Sequence, residues 1–395
     1  MGDLLSIDAA LELVLGHVRP LDPEPVVTAG ASGRVLALDA RAAVDLPPFA
    51  SSAMDGYAVR AADTPGELTV LGQSAAGRPS GDPLAPGSAA VISTGAVVPA
   101  GADAVVPIER TTLAGSTVSV EGVAPGAHVR PRGGDAHAGD VVAEAGARLG
   151  PPQIAALAAA GVAAVSCARR PRVVLLATGS ELRAPGEPLR PGEIYESNTI
   201  LLAAQAASAG ATAGVLAPVE DDPAKTREAL ERALAADVVI TSGGVSVGPH
   251  DLVRASLAAL GVEEVFWRVA VRPGKPVAFS VRGRTLVFGL PGNPVSALVG
   301  FELFVRPALL ALQGAREPGP AYLPARLAVA VQRNAGRDEL LRARVRMDGE
   351  GAVVAPLGGQ ESHMIVRAAS AAALVLVPHG SGELPAGTRV RYLPI

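Results

Sequence analysis

The sequence has 395 residues, which predicts two to four domains rather than one. The formal net charge is −4, and this argues against a nucleic-acid-binding protein, which usually carries a basic excess. Hydrophobic residues make up 49% of the chain and aromatic residues only 3%, so we expect cores of alanine, valine and leucine.

The first part of the chain predicts one helix followed by many short strands. Residues 6–18 have apolar side chains at helical spacing, with Ser6 as a candidate N-cap. From 24 to 150, short apolar runs alternate with glycine and proline, which is typical of a β-rich segment with many turns. Residues 152–160 predict a short helix.

From residue 171 the pattern predicts alternating strands and helices. The runs 172–177 and 237–241 are apolar throughout, as in strands that are buried on both faces. Asn198 and Asp222 are candidate N-caps of the helices that follow. Further predicted elements are a helix near 250–260, strands at 263–269, 276–280 and 285–289, and a helix over 294–312. We expect a parallel sheet covered on both faces, in a three-layer α/β domain.

The C-terminal part again predicts strands. A segment rich in glycine and proline, 313–322, is a plausible linker. Apolar runs at 327–331, 352–354 and 373–377 then predict a small β-barrel or sandwich.

Three polar turns follow strands of the predicted α/β domain, at Thr178–Glu181, Thr241–Gly248 and Gly289–Ser296. Glycines let backbone N–H groups approach a ligand closely, and the N-terminus of a following helix favours an anion. Any one of these segments could simply be a turn. Three at the same edge of one sheet favour an anion-binding site.

Four carboxylates lie at or near this edge: Glu181, Asp221, Asp222 and Asp251. Carboxylates beside a phosphate site usually bind Mg²⁺. For Asp222 we favour helix capping, and Asp251 could serve as a charge in the first turn of a helix. Glu181 has no comparable structural explanation.

Basic residues gather at Arg268, Arg272 and Lys275, where they could bind a multiply charged oxyanion or form a solvated strand rim. Asp135, His137 and Asp140 resemble metal-ligand spacing, but we interpret His137 as a surface residue. The chain contains neither a dinucleotide fingerprint nor a Walker motif.

The single cysteine, Cys167, excludes an intrachain disulfide and a thiolate metal cluster, and we expect it to be buried and inert. The N-terminal residues lack the basic and apolar regions of a secretory signal. The most apolar run, 154–168, is short for a membrane span of about 20 residues. We therefore expect a cytoplasmic protein that binds neither membrane nor nucleic acid.

Residues 47–59, PPFASSAMDGYAV, resemble the molybdopterin molybdenumtransferase family, which comprises MoeA and the gephyrin E domain. Further matching motifs extend the resemblance from about residue 6 to residue 395: TGA at 94–96, GAD at 101–103, RGGD at 132–135, TGSEL at 178–182, SGGVSVG at 242–248, PGKP at 273–276 and GLPGNP at 289–294.

The resemblance implies an elongated homodimer of four-part subunits. The parts would be an N-terminal linker and dimerisation domain (1–45 plus 140–169), a β-rich domain (46–139), an α/β molybdopterin-binding-like domain (170–312) and a C-terminal β-barrel domain (320–395). It also implies a transferase of molybdenum cofactor biosynthesis that inserts molybdate into adenylated molybdopterin, with Mg²⁺-dependent release of AMP. The active site would be shared between the α/β part of one subunit and the β-rich part of the other.

The resemblance and the motifs together assign roles to individual residues. There are six candidate catalytic residues. Three of them, Asp55, Thr94 and Asp135, would act from the partner subunit. The other three are Glu181, Asp221 and Asp251. The last three would also bind Mg²⁺. The candidate substrate-binding residues are Ser242, Gly243, Gly244, Ser246, Arg268, Arg272, Lys275, Pro291, Asn293, Pro294 and Ser362.

The sequence departs from the family pattern at a few positions. Many members have Asp-Asn where this chain has Ala50-Ser51, Asp in place of Ser180 and Lys in place of Arg272. The charge survives at Arg272, whereas Ser180 lacks the acid that many members have at this position. His137 is not part of the family pattern.

Two other functions remain open. A molybdopterin adenylyltransferase would need little more than the α/β domain, so residues 1–169 and 313–395 argue against it. A scaffold with the receptor-clustering role of gephyrin would need partner-binding additions that the sequence does not show. Because no adenylyltransferase domain is fused to this chain, we expect a separate enzyme to supply the adenylated substrate.

Overall fold

The computed structural model describes residues 4–220, 222–244 and 252–395. Asp221, Ser246 and Asp251 lie outside the described residues. Three six-stranded sheets carry most of the strands in the described part of the chain. The central one positions the candidate site.

The first helix, Ile7–Gly16, begins where the sequence predicts. The Ser6 hydroxyl accepts a hydrogen bond from the Ala9 N–H (3.1 Å), so Ser6 is the N-cap. The buried face of this helix packs in one hydrophobic cluster with Phe304 and other residues of the central α/β part. It therefore contacts the α/β core rather than only the N-terminal strands.

The other N-terminal elements pair with residues far along the chain. The strand Pro23–Val27 is antiparallel to Ala164–Ala168, and Ala40–Arg41 is antiparallel to Val141–Ala143. The predicted short helix lies at Pro151–Ala159. Strands within 1–45 thus pair with strands within 140–169, while the division of the chain into four domains stays a prediction.

The β-rich segment contains one mixed six-stranded sheet. Its strands, in spatial order, are Ala104–Pro107, Gly56–Val59, Ser88–Ile92, Gly66–Ser74, Thr117–Val120 and Thr111–Ala114. A two-stranded ribbon pairs Ser51–Ser52 with Val129–Arg130. Short 3₁₀ turns lie at Thr28–Gly30, Ala61–Asp63 and Ile108–Arg110.

The central sheet is mixed rather than wholly parallel. In spatial order its strands are Thr212–Val215, Arg172–Ala177, Val238–Ser242, Thr285–Leu290, Ala278–Arg282 and Glu263–Trp267. The first four are parallel. Ala278–Arg282 runs antiparallel to both of its neighbours, so Glu263–Trp267 runs in the same direction as the first four. The expectation of a parallel sheet is wrong for Ala278–Arg282. Only two residues join Ala278–Arg282 to Thr285–Leu290, too few for a crossover connection.

Helices cover both faces of this sheet. They are Asn198–Ser208, Pro223–Ala233, Leu252–Ala259, Pro294–Gly300 and Arg306–Leu312, the last two being joined by π-helical residues Phe301–Val305. The continuous helix Pro294–Leu312 is long and apolar enough to cross a membrane by length and composition. However, 83% of its apolar window is buried within the protein, as in a core helix.

The C-terminal part forms a closed five-stranded barrel. Its strands, in order around the barrel, are Asp338–Asp348, Gly351–Pro356, Leu323–Leu327, Arg389–Pro394 and Ala373–Val377, and the last pairs with the first. Other short elements are the helix Ile365–Ala368 and the ribbon of Val331–Gln332 with Glu383–Leu384. Val271–Arg272 of the α/β part adds a parallel strand beside Asp338–Asp348.

The register of the central sheet brings three strand ends to one level. Ala177 is paired with Ser242, and Ser242 is paired with Leu290. Because all three strands are parallel, the segments that follow them leave the sheet side by side. The three polar turns predicted from the sequence therefore lie at the same edge.

Candidate functional site

A cavity of about 720 Å³ opens at the carboxyl edge of the central sheet. We call it the edge cavity. Its lining residues are Ala177, Thr178, Gly179, Glu181, Leu182, Ile194, Tyr195, Glu196, Ser197, Asn198, Ser242, Gly243, Gly244, Gly292, Asn293, Pro294, His363 and Ile365. Small-molecule sites usually enclose about 300–1,000 Å³. All three predicted turns contribute, so the structure brings them together around one ligand-sized space.

Backbone hydrogen bonds hold these turns against one another. The Thr178 N–H donates to the Ser242 carbonyl (3.2 Å), and the Gly243 N–H donates to the Leu290 carbonyl (3.1 Å). Gly243 and Gly244 have φ values of +88° and +65°, a region that side-chain-bearing residues rarely adopt. A Cβ at Gly244 would lie 2.5 Å from a methyl carbon of Val253. Glycine is therefore required here by both conformation and space.

Glu181 lies in the wall of the edge cavity and is exposed. Its carboxylate covers Gly179 so closely that a Cβ there would lie 2.5 Å from Oε2. No side chain or backbone donor among the described residues hydrogen-bonds to this carboxylate. The described residues also contain no group of three or more His, Cys, Asp or Glu side chains that could hold a metal ion. Any metal bound at Glu181 would therefore need further oxygen ligands, such as substrate phosphate and water.

The segment before helix Asn198–Ser208 supplies lining residues that sequence reasoning missed. The buried Glu196 carboxylate accepts hydrogen bonds from the Thr199 N–H (2.9 Å) and hydroxyl (2.5 Å). Glu196 thus satisfies a donor at the helix start, and the prediction that Asn198 caps this helix is wrong. The Asn198 amide instead donates to the Ser242 hydroxyl and to the Gly292 carbonyl, both at 2.7 Å. A polar residue at a helix start resembles an ordinary cap in sequence, so the pattern concealed this role.

A loop from the C-terminal barrel closes another side of the edge cavity. His363 and Ile365 line it, and the Ser362 carbonyl accepts a hydrogen bond from the Val295 N–H (3.1 Å) at the start of the long helix. Ser362 therefore reaches the site edge through its backbone, and its side chain is not part of the lining. His363 is a lining residue that sequence reasoning missed.

Arg342 holds this loop in place. Its guanidinium is fully buried and donates to the carbonyls of Met364 (2.5 Å), Gly359 (2.8 Å) and Glu361 (3.2 Å). Burial lowers the pKa of Arg342 from its ordinary value. Gln360 adds hydrogen bonds to the Arg342 backbone. Arg342 stands in an ordinary alternating strand, so no sequence motif pointed to it.

The three predicted basic residues do not line the edge cavity. The Arg268 guanidinium stacks on the Trp267 ring at 3.7 Å, and Arg268 has a φ of +77°. Arg272 forms an ion pair with Glu339 (2.9 Å). Among the described residues, no acidic side chain pairs with the Lys275 ammonium. Pro291 lies directly after the strand Thr285–Leu290 and is buried, whereas Asn293 and Pro294 line the cavity.

The predicted site residues of the β-rich segment also lie outside the lining. Asp55 and Thr94 contact each other: Asp55 Oδ1 accepts hydrogen bonds from the Thr94 N–H (2.7 Å) and hydroxyl (3.2 Å). Asp135 is exposed, and its N–H donates to the Leu46 carbonyl (2.9 Å). The structure thus joins Asp55 with Thr94, and brings none of the three to the edge cavity of the same chain.

The structure confirms two further predictions, on Asp222 and on Cys167. Asp222 is the N-cap of helix Pro223–Ala233, because its Oδ1 accepts a hydrogen bond from the Lys225 N–H (2.8 Å). Cys167 is fully buried, and burial raises the pKa of its thiol, so it is not a ready nucleophile.

Family models match nearly the whole chain. The MoeA N-terminal region (domains I and II) matches residues 5–161, a probable molybdopterin-binding domain matches 174–311, and the MoeA C-terminal region (domain IV) matches 324–395. The chain belongs to the molybdopterin molybdenumtransferase (MoeA) family. It is a transferase of molybdenum cofactor biosynthesis, as the resemblance of its motifs predicted.

Individual relatives align with this chain over nearly their full lengths. Molybdopterin molybdenumtransferase 2 of Mycobacterium tuberculosis H37Rv is 39% identical over 98% of each chain. Molybdopterin molybdenumtransferase of Haemophilus influenzae is 36% identical, over 99% of this chain and 98% of its own. The crystal structure of the Pyrococcus horikoshii OT3 molybdopterin biosynthesis MoeA protein superposes with a TM-score of 0.85, at 29% identity and complete coverage of both chains. The multidomain α/β and β architecture is confirmed.

Proposed function

We propose that this chain inserts molybdate into the dithiolene of adenylated molybdopterin and releases AMP. The observation that carries the proposal is the convergence of three glycine-containing turns on one cavity at the carboxyl edge of the central sheet. Such an edge is where doubly wound sheets bind their ligands. The match to a probable molybdopterin-binding domain over residues 174–311 supports this choice of ligand.

Each side of the cavity has a distinct task in this proposal. The turn at Ser242, Gly243 and Gly244 receives the nucleotide end of the substrate, where small residues allow close approach of the backbone. Asn293 and Pro294, at the start of the long helix, face the same space. The Ser362 carbonyl accepts a hydrogen bond from the Val295 N–H at this helix start, and Pro291 directly follows the strand Thr285–Leu290. Ser246 belongs to the same sequence motif as Ser242 and lies outside the described residues.

The basic residues serve the oxyanions in this proposal. Molybdate is a tetrahedral dianion, and guanidinium and ammonium groups are its natural partners. Lys275 is available for this without breaking an ion pair to any described residue. Arg272 would have to share its charge with Glu339, to which it is already paired (2.9 Å). The Arg268 guanidinium stacks on the Trp267 ring at 3.7 Å.

We propose Mg²⁺ as the metal of the site, with Glu181 as a ligand and Asp221 and Asp251 completing the protein's contribution. One exposed carboxylate beside a phosphate site fits the way Mg²⁺ is usually bound, by one or two carboxylates together with substrate phosphates and water. When bound, the ion would neutralise charge on the pyrophosphate as it is cleaved. Glu181 would hold the ion at this end of the substrate.

We further propose a homodimer in which Asp55, Thr94 and Asp135 act on the partner's edge cavity. Support comes from their position away from the cavity of their own chain, although Asp55 lies in the most specific motif of the sequence. Co-expression of Asp55→Asn with Glu181→Gln subunits tests this. A mixed dimer contains one site with both acids intact, so at a Mg²⁺ concentration that is too low for the Glu181→Gln variant it should release AMP faster than either variant alone. If mixing recovers nothing, the shared site is wrong.

The remaining proposals concern the cellular setting. We propose that a separate molybdopterin adenylyltransferase supplies the substrate and that the protein acts in the cytoplasm without binding nucleic acid or membrane. Co-purification of the adenylyltransferase with tagged protein, and cell fractionation, test these two points.

The function itself is tested by incubating the purified protein with adenylated molybdopterin, molybdate and Mg²⁺. We expect AMP release together with a cofactor that activates a molybdenum-free apoenzyme. Omission of molybdate is the control, and it should abolish the active cofactor. Release of AMP without transfer of molybdenum would leave a hydrolase and contradict the proposal.

A further inference from the structure

Asn198 joins two of the three turns that form the edge cavity. Its side-chain amide donates to the Ser242 hydroxyl and to the Gly292 carbonyl, each at 2.7 Å. These partners are 44 and 94 residues away along the chain. Asn198 is only 8% exposed and lies in the cavity lining. A single buried side chain therefore links the second turn to the third.

The chemistry of the partners defines the orientation of this amide. The Gly292 carbonyl can only accept, so the NH₂ group must face it. The second hydrogen goes to the Ser242 hydroxyl, and both amide hydrogens are then used within the protein. Asn198 cannot donate to a ligand while both bonds persist. Glu196 accepts a hydrogen bond from the Thr199 N–H at the helix start, and the Asn198 side chain bonds Ser242 and Gly292 instead, so capping does not explain why an asparagine is needed here.

The two joined turns lie close together. A Cβ at Gly292 would be in van der Waals contact with Gly243, 3.8 Å from its Cα. Backbone bonds already connect Gly243 to Leu290, at the start of the third turn. Gly292 lies beyond that bond, and Asn198 is the side chain that ties it to Ser242. Loss of the tie would let the third turn move away from the second.

We propose that Asn198 is a positioning residue, which holds the second and third turns at the spacing that the anionic end of adenylated molybdopterin requires. This inference rests on the proposed function, because it takes its ligand from there. It assigns Asn198 no contact with the reacting atoms. Its contribution to binding passes through Ser242 and Gly292.

The test is the Asn198→Asp variant, which has the same size but cannot donate. The Ser242 hydroxyl can donate to the new carboxylate, whereas the Gly292 carbonyl would face a negative charge and be repelled. We expect the dissociation constant for adenylated molybdopterin, measured without molybdate, to rise at least tenfold, equivalent to about 1.4 kcal/mol. In a Ser242→Ala background the same substitution should have a smaller effect, because part of its action passes through Ser242.

Gln205→Glu is the matched control. Gln205 lies on the same helix, and its amide donates to Glu302 (2.7 Å) of the long helix, away from the edge cavity. Like Asn198→Asp, Gln205→Glu changes an amide to an acid and removes a side-chain hydrogen bond between two elements, here two helices. We expect both variants to lower the melting temperature, but only Asn198→Asp to weaken ligand binding. If Asn198→Asp does not fold, Asn198→Ala removes both donors without adding charge and should shift binding in the same direction.

The outcomes separate the two proposals. A wild-type protein that does not bind adenylated molybdopterin overturns the proposed function, and this inference with it. A wild-type protein that binds, together with an Asn198→Asp variant that binds equally well, overturns the positioning role alone. Equal weakening by Gln205→Glu would also overturn it, because the effect would then be one of general stability.

Discussion

Substitution of Asp55 by Asn separates a structural role of this residue from a chemical one. Asp55 Oδ1 accepts two hydrogen bonds from Thr94, through the N–H at 2.7 Å and the hydroxyl at 3.2 Å. An Asn side chain retains an acceptor oxygen at this position. What is lost is the charge, and a charge-assisted hydrogen bond at an exposed site exceeds a neutral one by about 0.5–1 kcal/mol. We therefore expect the melting temperature to fall by less than about 4 °C.

Cofactor formation should fall much further if the Asp55 carboxylate acts on the substrate. We expect AMP release, assayed with adenylated molybdopterin, molybdate and Mg²⁺, to drop at least tenfold, or about 1.4 kcal/mol in activation free energy. Asp103→Asn is the matched control. Asp103 Oδ1 also accepts a hydrogen bond from a backbone N–H of the β-rich segment, that of Ala61 (2.7 Å), and it belongs to no proposed site.

Two results would refute this reasoning. Wild-type AMP release by Asp55→Asn would show that the residue only organises the Thr94 turn. An equal loss in Asp55→Asn and Asp103→Asn would show that the β-rich sheet tolerates neither change, so the loss would report folding rather than chemistry.

The remaining predictions concern the metal, the loop and acid stability. Glu181→Gln should shift the Mg²⁺ dependence of AMP release to higher concentration with little change in stability, and an unchanged midpoint would exclude Glu181 as a ligand. Arg342→Met should lower the free energy of unfolding by about 2–4 kcal/mol, because three carbonyls lose their hydrogen-bond donor. It should also speed amide hydrogen exchange in residues 357–364, and unaltered exchange there would contradict the prediction. Burial raises the pKa of the Asp237 carboxyl, but hydrogen bonds from the Arg169 side chain and a backbone N–H outweigh this and lower it overall. Its stabilisation is therefore present above the unfolded pKa of about 3.9 and is lost as pH falls through the lower folded value. Asp237→Asn should lower the free energy of unfolding by about 2–3 kcal/mol at pH 7. The difference in denaturant midpoint between wild type and variant should shrink under acid conditions.

The meeting of the three turns at one edge of the sheet could be predicted from the sequence because it follows from strand direction. Apolar runs that end in polar, glycine-containing turns identify the carboxyl ends of parallel strands. The register of Ala177, Ser242 and Leu290 then places those turns together. The same reasoning was wrong for Ala278–Arg282, because apolar content does not distinguish a buried antiparallel strand from a parallel one.

The connections between the turns could not be predicted. Asn198 at the start of a helix has the composition of a cap, and only the position of Glu196 shows that the capping donor is already satisfied. Arg342 lies on a barrel strand more than 140 residues from Asn198, and its partners are backbone carbonyls, which leave no trace in sequence. Local patterns identify what a segment can do by itself, whereas these contacts depend on which distant segments the fold brings together.

The charges that line the edge cavity constrain how it can bind an anion. Among the described lining residues, the carboxylates are Glu181 and Glu196, and neither lysine nor arginine is present. Residues 245–251 contain no lysine or arginine either. Glu196 is occupied by its hydrogen bonds to Thr199, but Glu181 would face a bound pyrophosphate directly. Two like charges at 4 Å repel by about 4 kcal/mol at an effective dielectric constant of 20. If a pyrophosphate binds beside Glu181, as the proposed function requires, a cation between the two groups would offset this repulsion, which is why the proposal places a metal at Glu181.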